Sequence, residues 1–310
     1  MQRILNRHGV YIMSVFIFVV MKYLFLVLTL IGLSAKAQVL DSLSRDTLND
    51  LQIRMIGLGE RMILSYDEQE RLTSGFYFLR HMNYALRVQG SYQFKFDSLK
   101  SVSIIYSPDD AFRIITWNLV LNEERFHYYG VIQLNPEKTK NLKDTANLRP
   151  FYPLIDRSVQ IRNALDTTVD NNFWWGATYY KIIPVKYKKQ TYYTLLGWNG
   201  ATRMSNKKIV ESLYFDHNKP YFGAPIFDIK LKKVLKRMIF EFSNSATMTL
   251  RYDDSKGYLI YESVSPPRAQ DMGHPETYLP DGTYDYMIFN KKTGIWEKQP
   301  EMLKDFDLSR

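Results

Sequence analysis

A long antiparallel hairpin over residues 176–200 is the sequence feature that most constrains the fold. Its two arms are rich in Tyr, Ile, Thr and Leu, and they flank a polar turn at Lys188-Lys189-Gln190. Aromatic and β-branched side chains pack well on a pleated surface. The pattern therefore predicts two neighbouring antiparallel strands in a larger sheet.

Similar strand-like runs recur along the chain and are separated by residues typical of turns. They lie at residues 101–106, 112–117, 125–133, 208–215, 221–227, 237–242, 248–252, 258–264, 284–289 and 295–297. This spacing is typical of a sandwich or a partly closed barrel, with a small propeller as the alternative. The chain shows no repeat of fixed period, which favours the sandwich or barrel.

Two helices are predicted before the strands. Apolar residues recur at three- and four-residue steps over residues 40–63 and again over 68–88. Ser65 and Glu68 fit a capping box at the start of the second helix. The side chains of the second helix expected to face inward are Leu72, Phe76, Leu79 and Leu86.

The predicted fold class is α+β and mostly β: a helical hairpin over residues 38–90, then a large antiparallel β meander over residues 91–310. Residues 135–171 are rich in Lys, Asn, Thr, Asp and Pro. We interpret them as a long connection, which in other proteins often carries function or forms a lid.

The amino terminus has the pattern of a secretory signal peptide. Lys22 precedes an apolar run over residues 23–33, and an Ala-x-Ala end follows at Ala35 and Ala37. We predict cleavage after Ala37, so that residues 1–37 are removed. The true start is expected at Met21, because a single span over residues 10–33 would place Lys22 near its centre at a cost of about 2.5–3.5 kcal/mol.

Charge and cysteine content exclude several classes of function. Removing residues 1–37, which contain four basic and no acidic residues, lowers the formal net charge from +9 to +5. No block of like charge remains, so nucleic-acid binding is not expected. The absence of cysteine excludes disulfides, thiol catalysis, cysteine-based metal sites and a lipid anchor on Cys. We expect an exported periplasmic or extracellular protein with no membrane span in its mature form and no cofactor.

Five segments of the chain resemble a family of uncharacterised exported proteins of the Bacteroidota. The segments are Phe96-Asp97-Ser98-Leu99-Lys100, Ser107-Pro108-Asp109, Phe112-Arg113-Ile114 with Trp117, Tyr179-Tyr180-Lys181-Ile182-Ile183-Pro184 and Leu195-Leu196-Gly197-Trp198-Asn199-Gly200. The resemblance covers residues 40–300 and implies export and a shared architecture. It implies no activity and assigns no catalytic residue.

Candidate catalytic residues are sparse. Asp271, His274 and Glu276 lie close together after a Pro-Pro pair, and such groups can relay a proton or bind a metal. They would suit a hydrolase of envelope polymers, with residues 135–171 as its lid. A flexible polar loop explains the three residues equally well.

The aromatic end of the central hairpin is the favoured binding site. Trp174 and Trp175 open the hairpin, whereas Trp198 and Asn199 close it, so the pairing brings all four to one edge of the sheet. Exposed Trp rings stack on sugars or on partner side chains. The sequence thus favours a non-catalytic module that binds a glycan or another envelope component, although the same aromatics could instead fill the core.

Overall fold

The computed structural model describes residues 40–122, 126–140, 142–146, 148–230 and 233–300. The predicted signal peptide, its cleavage site and the alternative start at Met21 lie outside these residues. The described residues from Ser42 to Pro300 belong to one compact unit.

Two helices form the expected hairpin. Helix α1 spans Ser42–Leu64 and helix α2 spans Glu68–Arg87. The carboxylate of Asp67 accepts a hydrogen bond from the backbone N–H of Gln69 at 3.1 Å, so Asp67 is the N-cap of α2. Ser65 lies two residues earlier and donates instead to the Glu70 carboxylate, at 2.6 Å. The predicted capping box is therefore replaced by an aspartate cap.

The inward face of α2 differs from the sequence prediction. Of the four residues expected to face inward only Leu86 is buried, and Leu72, Phe76 and Leu79 are 40%, 56% and 39% exposed. The buried face is formed by Arg71, Ser74, Gly75, Phe78, Met82, Ala85 and Leu86. Gly75 and Phe78 explain the choice, because the glycine allows close approach to Leu119 and the phenyl ring packs on Trp117 at 5.4 Å between ring centroids.

The described strands form three sheets, which we number I, II and III. Sheet I is an antiparallel meander in chain order: β1 (Ser103–Tyr106), β2 (Phe112–Val120), β3 (Phe126–Leu134) and β4 (Phe151–Ile155). Sheet II contains β5 (Val169–Asp170), β6 (Thr178–Tyr187), β7 (Gln190–Asn199), β8 (Ser205–Asp216), β9 (Lys219–Phe222) and β11 (Arg237–Ser243). Sheet III contains β10 (Phe227–Asp228), β12 (Leu250–Asp253), β13 (Tyr258–Ser265), β14 (Leu279–Asn290) and β15 (Ile295–Lys298).

The long strand β8 organises sheet II. Strand β7 pairs with one edge of β8, whereas β11 and β9 pair with successive parts of the other edge. Apart from β11, the strand order of sheet II is β5-β9-β8-β7-β6, and all neighbouring pairs are antiparallel. In sheet III the order is β10-β15-β14-β13-β12, with β10 parallel to β15.

Sheet II is the central layer. Leu195 and Leu196 are neighbours on β7 and both are fully buried, but they belong to different hydrophobic cores. One core fills the space between sheets I and II, and the other lies between sheets II and III. The helical hairpin covers the second face of sheet I through the contact between Phe78 and Trp117. The mostly β, antiparallel prediction with an N-terminal helical hairpin is confirmed, and none of the sheets formed by the described strands closes into a barrel.

The segment 135–171 contains more regular structure than a connection. Besides the short helix α3 (Pro136–Thr139), it includes β4 and β5. Tyr152 and Leu154 of β4 are buried against the core, while Pro153 faces solvent from this edge strand of sheet I. A single 3₁₀ turn at Ser158–Gln160 lies in its second half.

Candidate functional site

The two ends of the central hairpin meet as the sequence predicts. Thr178 pairs with Trp198 across β6 and β7, and the Asn199 side-chain amide donates to the backbone carbonyl of Gly176 at 2.7 Å. The Asn199 oxygen accepts the Ala201 N–H, also at 2.7 Å. Asn199 is buried, so its polar atoms fasten the two ends of the hairpin together.

The three tryptophans at this end do not form an exposed platform. Trp174 is fully buried, and its indole N–H donates to the Tyr179 hydroxyl at 2.8 Å. Trp175 and Trp198 are half-buried, and the Trp198 indole donates to the Asn206 side chain at 3.1 Å. A sugar ring stacks only on an open ring face, which Trp174 lacks. Trp174 therefore fills the core, which was the alternative to an exposed binding residue.

A buried charged cluster lies beside Trp174. Glu211 on β8 directly faces Arg237 on β11, and the Arg237 Nε donates to the Glu211 carboxylate at 2.5 Å. The Tyr179 hydroxyl donates to the other carboxylate oxygen. Arg237 also donates to the Ala164 carbonyl, and its guanidinium lies 5.8 Å from the ring centroid of Trp175.

The burial of this charged cluster indicates a structural role. Tyr179, Glu211 and Arg237 each have no exposed surface, so a substrate could reach them only if the sheet opened. Burial and then the Glu211 charge raise the pKa of Tyr179 well above its ordinary value, which keeps its hydroxyl a neutral donor. The cluster ties β6, β8 and β11 together. Sequence reasoning missed it because Glu211 and Arg237 lie far apart in the chain and each lies within a strand pattern.

The side chains of the three candidate catalytic residues form two pairs, one between Asp271 and Arg268 and one between His274 and Glu276. Asp271 accepts two hydrogen bonds from Arg268, at 2.9 and 3.1 Å, and these lower the pKa of its carboxyl group. The His274 Nδ1 lies 3.2 Å from a Glu276 oxygen, and backbone hydrogen bonding lowers the pKa of Glu276. Lowered pKa values keep both carboxylates ionised, which does not suit a general acid. Within the described residues, no three His, Asp or Glu side chains are grouped to hold a metal ion.

Two clefts lie along the contact between α1 and α2 on the helical hairpin. The first has a volume of about 450 Å³ and is lined by Leu58, Arg61, Asp67, Gln69, Glu70, Thr73, Ser74 and Tyr77. The second has a volume of about 480 Å³ and is lined by Leu51, Arg54, Tyr77, Arg80, His81 and Tyr84. Because Tyr77 lines both, the clefts adjoin, and we call them together the seam groove. Each volume is in the range of small-molecule sites.

The two ends of the seam groove carry opposite charge. The first cleft contains two carboxylates, and Glu70 lies 4.0 Å from Arg61. The second cleft contains two guanidinium groups and an imidazole but no carboxylate. We call the second cleft the basic end. The Arg80 guanidinium also lies 5.7 Å from the ring centroid of Phe76, an exposed residue of α2 that does not line the cleft.

Aromatic side chains of the basic end are open to solvent. Tyr77 is 44% exposed and Tyr84 is 59% exposed. The His81 Nδ1 donates to the Tyr77 carbonyl at 2.7 Å, which fixes the imidazole ring beside them. Arg54 forms a 2.9 Å pair with Asp50, but both side chains are about 60% exposed, so solvent screens this pair.

Sequence reasoning missed the seam groove for an identifiable reason. Helix α2 carries apolar or aromatic residues around most of its circumference, and three of the four residues predicted to face inward are exposed. The excess of aromatic residues beyond one core stripe was the available signal.

The described residues contain no helix that is long and apolar enough to cross a membrane. No protein-family model matches the chain, and neither a curated protein nor a solved structure matches it.

Proposed function

We propose that the mature chain is an exported, non-catalytic binding module that engages an envelope component through the seam groove. The observation that carries the proposal is the exposure of Tyr77 and Tyr84 in a cleft flanked by charged side chains. Large aromatic side chains bury much apolar surface on binding and lose little conformational entropy, which makes them effective anchors.

Export is supported by the amino-terminal sequence. Lys22, the apolar residues 23–33 and the Ala35-x-Ala37 end together suit a signal peptidase substrate. The absence of cysteine suits either an oxidising or a reducing compartment, and it excludes an anchor on Cys. The resemblance to exported Bacteroidota proteins supports the same location.

The binding site is tested by capture of the mature protein on isolated envelope polymers, namely peptidoglycan and surface polysaccharide. We expect the double variant Tyr77→Ala/Tyr84→Ala to bind at least about tenfold more weakly, because two aromatic anchors are removed. Tyr66→Ala is the matched control: Tyr66 is on the same hairpin and fully exposed, but it does not line the seam groove. It should bind like the unchanged protein.

Three results would contradict the proposal. Undiminished capture of the double variant would exclude the seam groove, as would loss of capture only in Trp175→Ala or Trp198→Ala, which would move the site to the aromatic end of the central hairpin. Absence of capture on every polymer would exclude the binding function itself. Urea unfolding of each variant verifies that it is folded.

A further inference from the structure

We infer that the basic end of the seam groove binds an acidic saccharide, that is, a sugar unit that carries a carboxylate; this inference rests on the proposed binding function. Its location is the cleft of about 480 Å³ between Arg54 on α1 and Arg80 on α2. The cleft is therefore lined by one arginine from each helix.

The charges lining this cleft are complementary to an anion. Arg54, Arg80 and His81 supply all of its titratable nitrogen groups, and none of the lining residues is an acid; Asp50, outside the lining, accepts from the Arg54 Nε and leaves the other guanidinium nitrogens of Arg54 for a ligand. The planar guanidinium group presents its N–H donors in a fork that matches a carboxylate, and such bonds are stronger than neutral ones. Both arginines are exposed, so a ligand carboxylate can reach them without unfolding the hairpin.

The rings beside these charges are complementary to a sugar. Tyr77 and Tyr84 present apolar ring faces with a hydroxyl at the tip, and the fixed His81 ring lies next to Tyr77. A sugar ring has an apolar C–H face and polar edges, so it can pack on such a ring while its hydroxyl groups remain hydrogen-bonded. A carboxylate and a ring face in one ligand would use both features of the cleft.

An acidic peptide fits these observations less well. A peptide helix docks through aliphatic and aromatic anchors inserted into an apolar groove. The only aliphatic side chain lining the basic end is Leu51, which is already buried in the hairpin. The exposed apolar residues Leu72 and Phe76 are not part of this lining.

The opposite end of the seam groove limits how an anionic chain can lie. Asp67 and Glu70 line the first cleft and outnumber its one cation, Arg61, so they would repel a second carboxylate. Arg54 of the basic end and Arg61 of the first cleft are about 10 Å apart along α1, at 1.5 Å per residue. We therefore expect a short acidic segment or a chain end at the basic end, not a polyanion along the whole groove.

The experiment measures binding of short oligogalacturonates to the mature protein by calorimetry, with the methyl-esterified oligomer as a neutral twin. A glucuronate-containing oligosaccharide is the second acidic probe. We expect the acidic oligomers to bind at least about tenfold more tightly than the ester, and their affinity to fall with added salt.

Variants locate the charge requirement. Arg54→Gln/Arg80→Gln should weaken binding of the acidic oligomer by about tenfold or more and should leave the ester unaffected. Replacing Arg45 and Arg87 by Gln in one control variant removes the same charge from exposed positions of the same two helices that do not line the cleft. This control should retain the affinity of the unchanged protein.

The outcomes separate this inference from the proposed function. Equal affinity for the acid and its ester, with both lost in Tyr77→Ala/Tyr84→Ala, would overturn the acidic class but support a binding groove. An equal loss in the control variant, tighter binding of oligoglutamate, or no binding of either acidic oligosaccharide would also overturn the inference. If polymer capture is in addition insensitive to Tyr77→Ala/Tyr84→Ala, the proposed function fails as well.

Discussion

At the scale of single residues, the ion pair between Glu211 and Arg237 places two opposite charges inside sheet II. Both side chains are fully buried, and removing two charges from water costs several kcal/mol per ion. The Tyr179 hydroxyl and the Ala164 carbonyl provide further hydrogen bonds that offset part of this cost. Because the two residues face each other across β8 and β11, the ion pair also favours one register of these strands.

Glu211→Gln should destabilise the protein by about 3–5 kcal/mol, since it leaves the Arg237 charge buried without its counter-charge. Glu241→Gln is the matched control, because Glu241 pairs with Lys207 across the same two strands but both side chains are partly exposed. Its cost should be about 1 kcal/mol or less. Urea unfolding measures both, and equal costs would contradict the role of burial.

Arg113 shows a second way to bury a charge. It lies on the helix-facing side of β2 and is fully buried, with hydrogen bonds to the backbone carbonyls of Ser91 and Phe94 at 2.8 and 2.7 Å. The rings of Tyr92 and Phe96 lie 5.7 and 5.4 Å from its guanidinium carbon. Burial lowers the pKa of Arg113, while these acceptors and rings stabilise its charge. Arg113 thereby fastens the segment after α2 to sheet I.

At the scale of elements, one glycine allows a close contact between two hairpins. Gly294, in the turn between β14 and β15, has φ +78°, a conformation that favours glycine. A Cβ atom added there would overlap ring carbons of Tyr187 at the end of β6. The turn of sheet III thus lies directly against a strand end of sheet II.

Gly294→Ala should be more destabilising than Gly282→Ala by about 1–3 kcal/mol, the usual cost of overpacking. Gly282 has nearly the same φ, +79°, but nothing lies within 4 Å of its added Cβ, so it isolates the backbone cost. Thermal unfolding of the two variants provides the comparison. Equal losses of stability would show that Tyr187 moves aside without cost.

At the scale of the whole molecule, the stacked layers bury many tyrosines. The pKa values of Tyr128, Tyr179, Tyr193 and Tyr261 are all raised, and burial is the largest cause for each. Ionisation of a tyrosine in these positions would place a negative charge between sheets or against a core. The folded state therefore retains the protons of these groups.

Stability should fall as the pH rises above about 10, the ordinary pKa of tyrosine. Below that pH, the folded and unfolded chains both hold these protons, so burial carries no titration penalty. Above it, the unfolded chain releases protons that the folded chain retains, which favours unfolding. The urea midpoint measured from about pH 8 to 12, together with tyrosinate absorbance, tests this. A constant midpoint over this range would contradict it.

Sequence reasoning recovered the elements whose signals are local. The turn at Lys188-Lys189 and the strand-like run at residues 112–117 depend on neighbours a few residues away, and the structure contains the corresponding strands β6, β7 and β2. Strand β4 was missed because Pro153 and its polar surroundings interrupt the local pattern, although Tyr152 and Leu154 are buried.

The sequence by itself determined that this chain has a helical hairpin followed by antiparallel strands, and that the ends of the central hairpin meet. Only the tertiary structure decided that Trp174 is buried, that Phe78 and not Phe76 faces the sheet, and that the seam groove is open. The physical reason is that periodicity depends on neighbouring residues, whereas burial depends on which distant surface packs against an element. Helix α2 has apolar side chains on several faces, and its contact with sheet I selects the buried one.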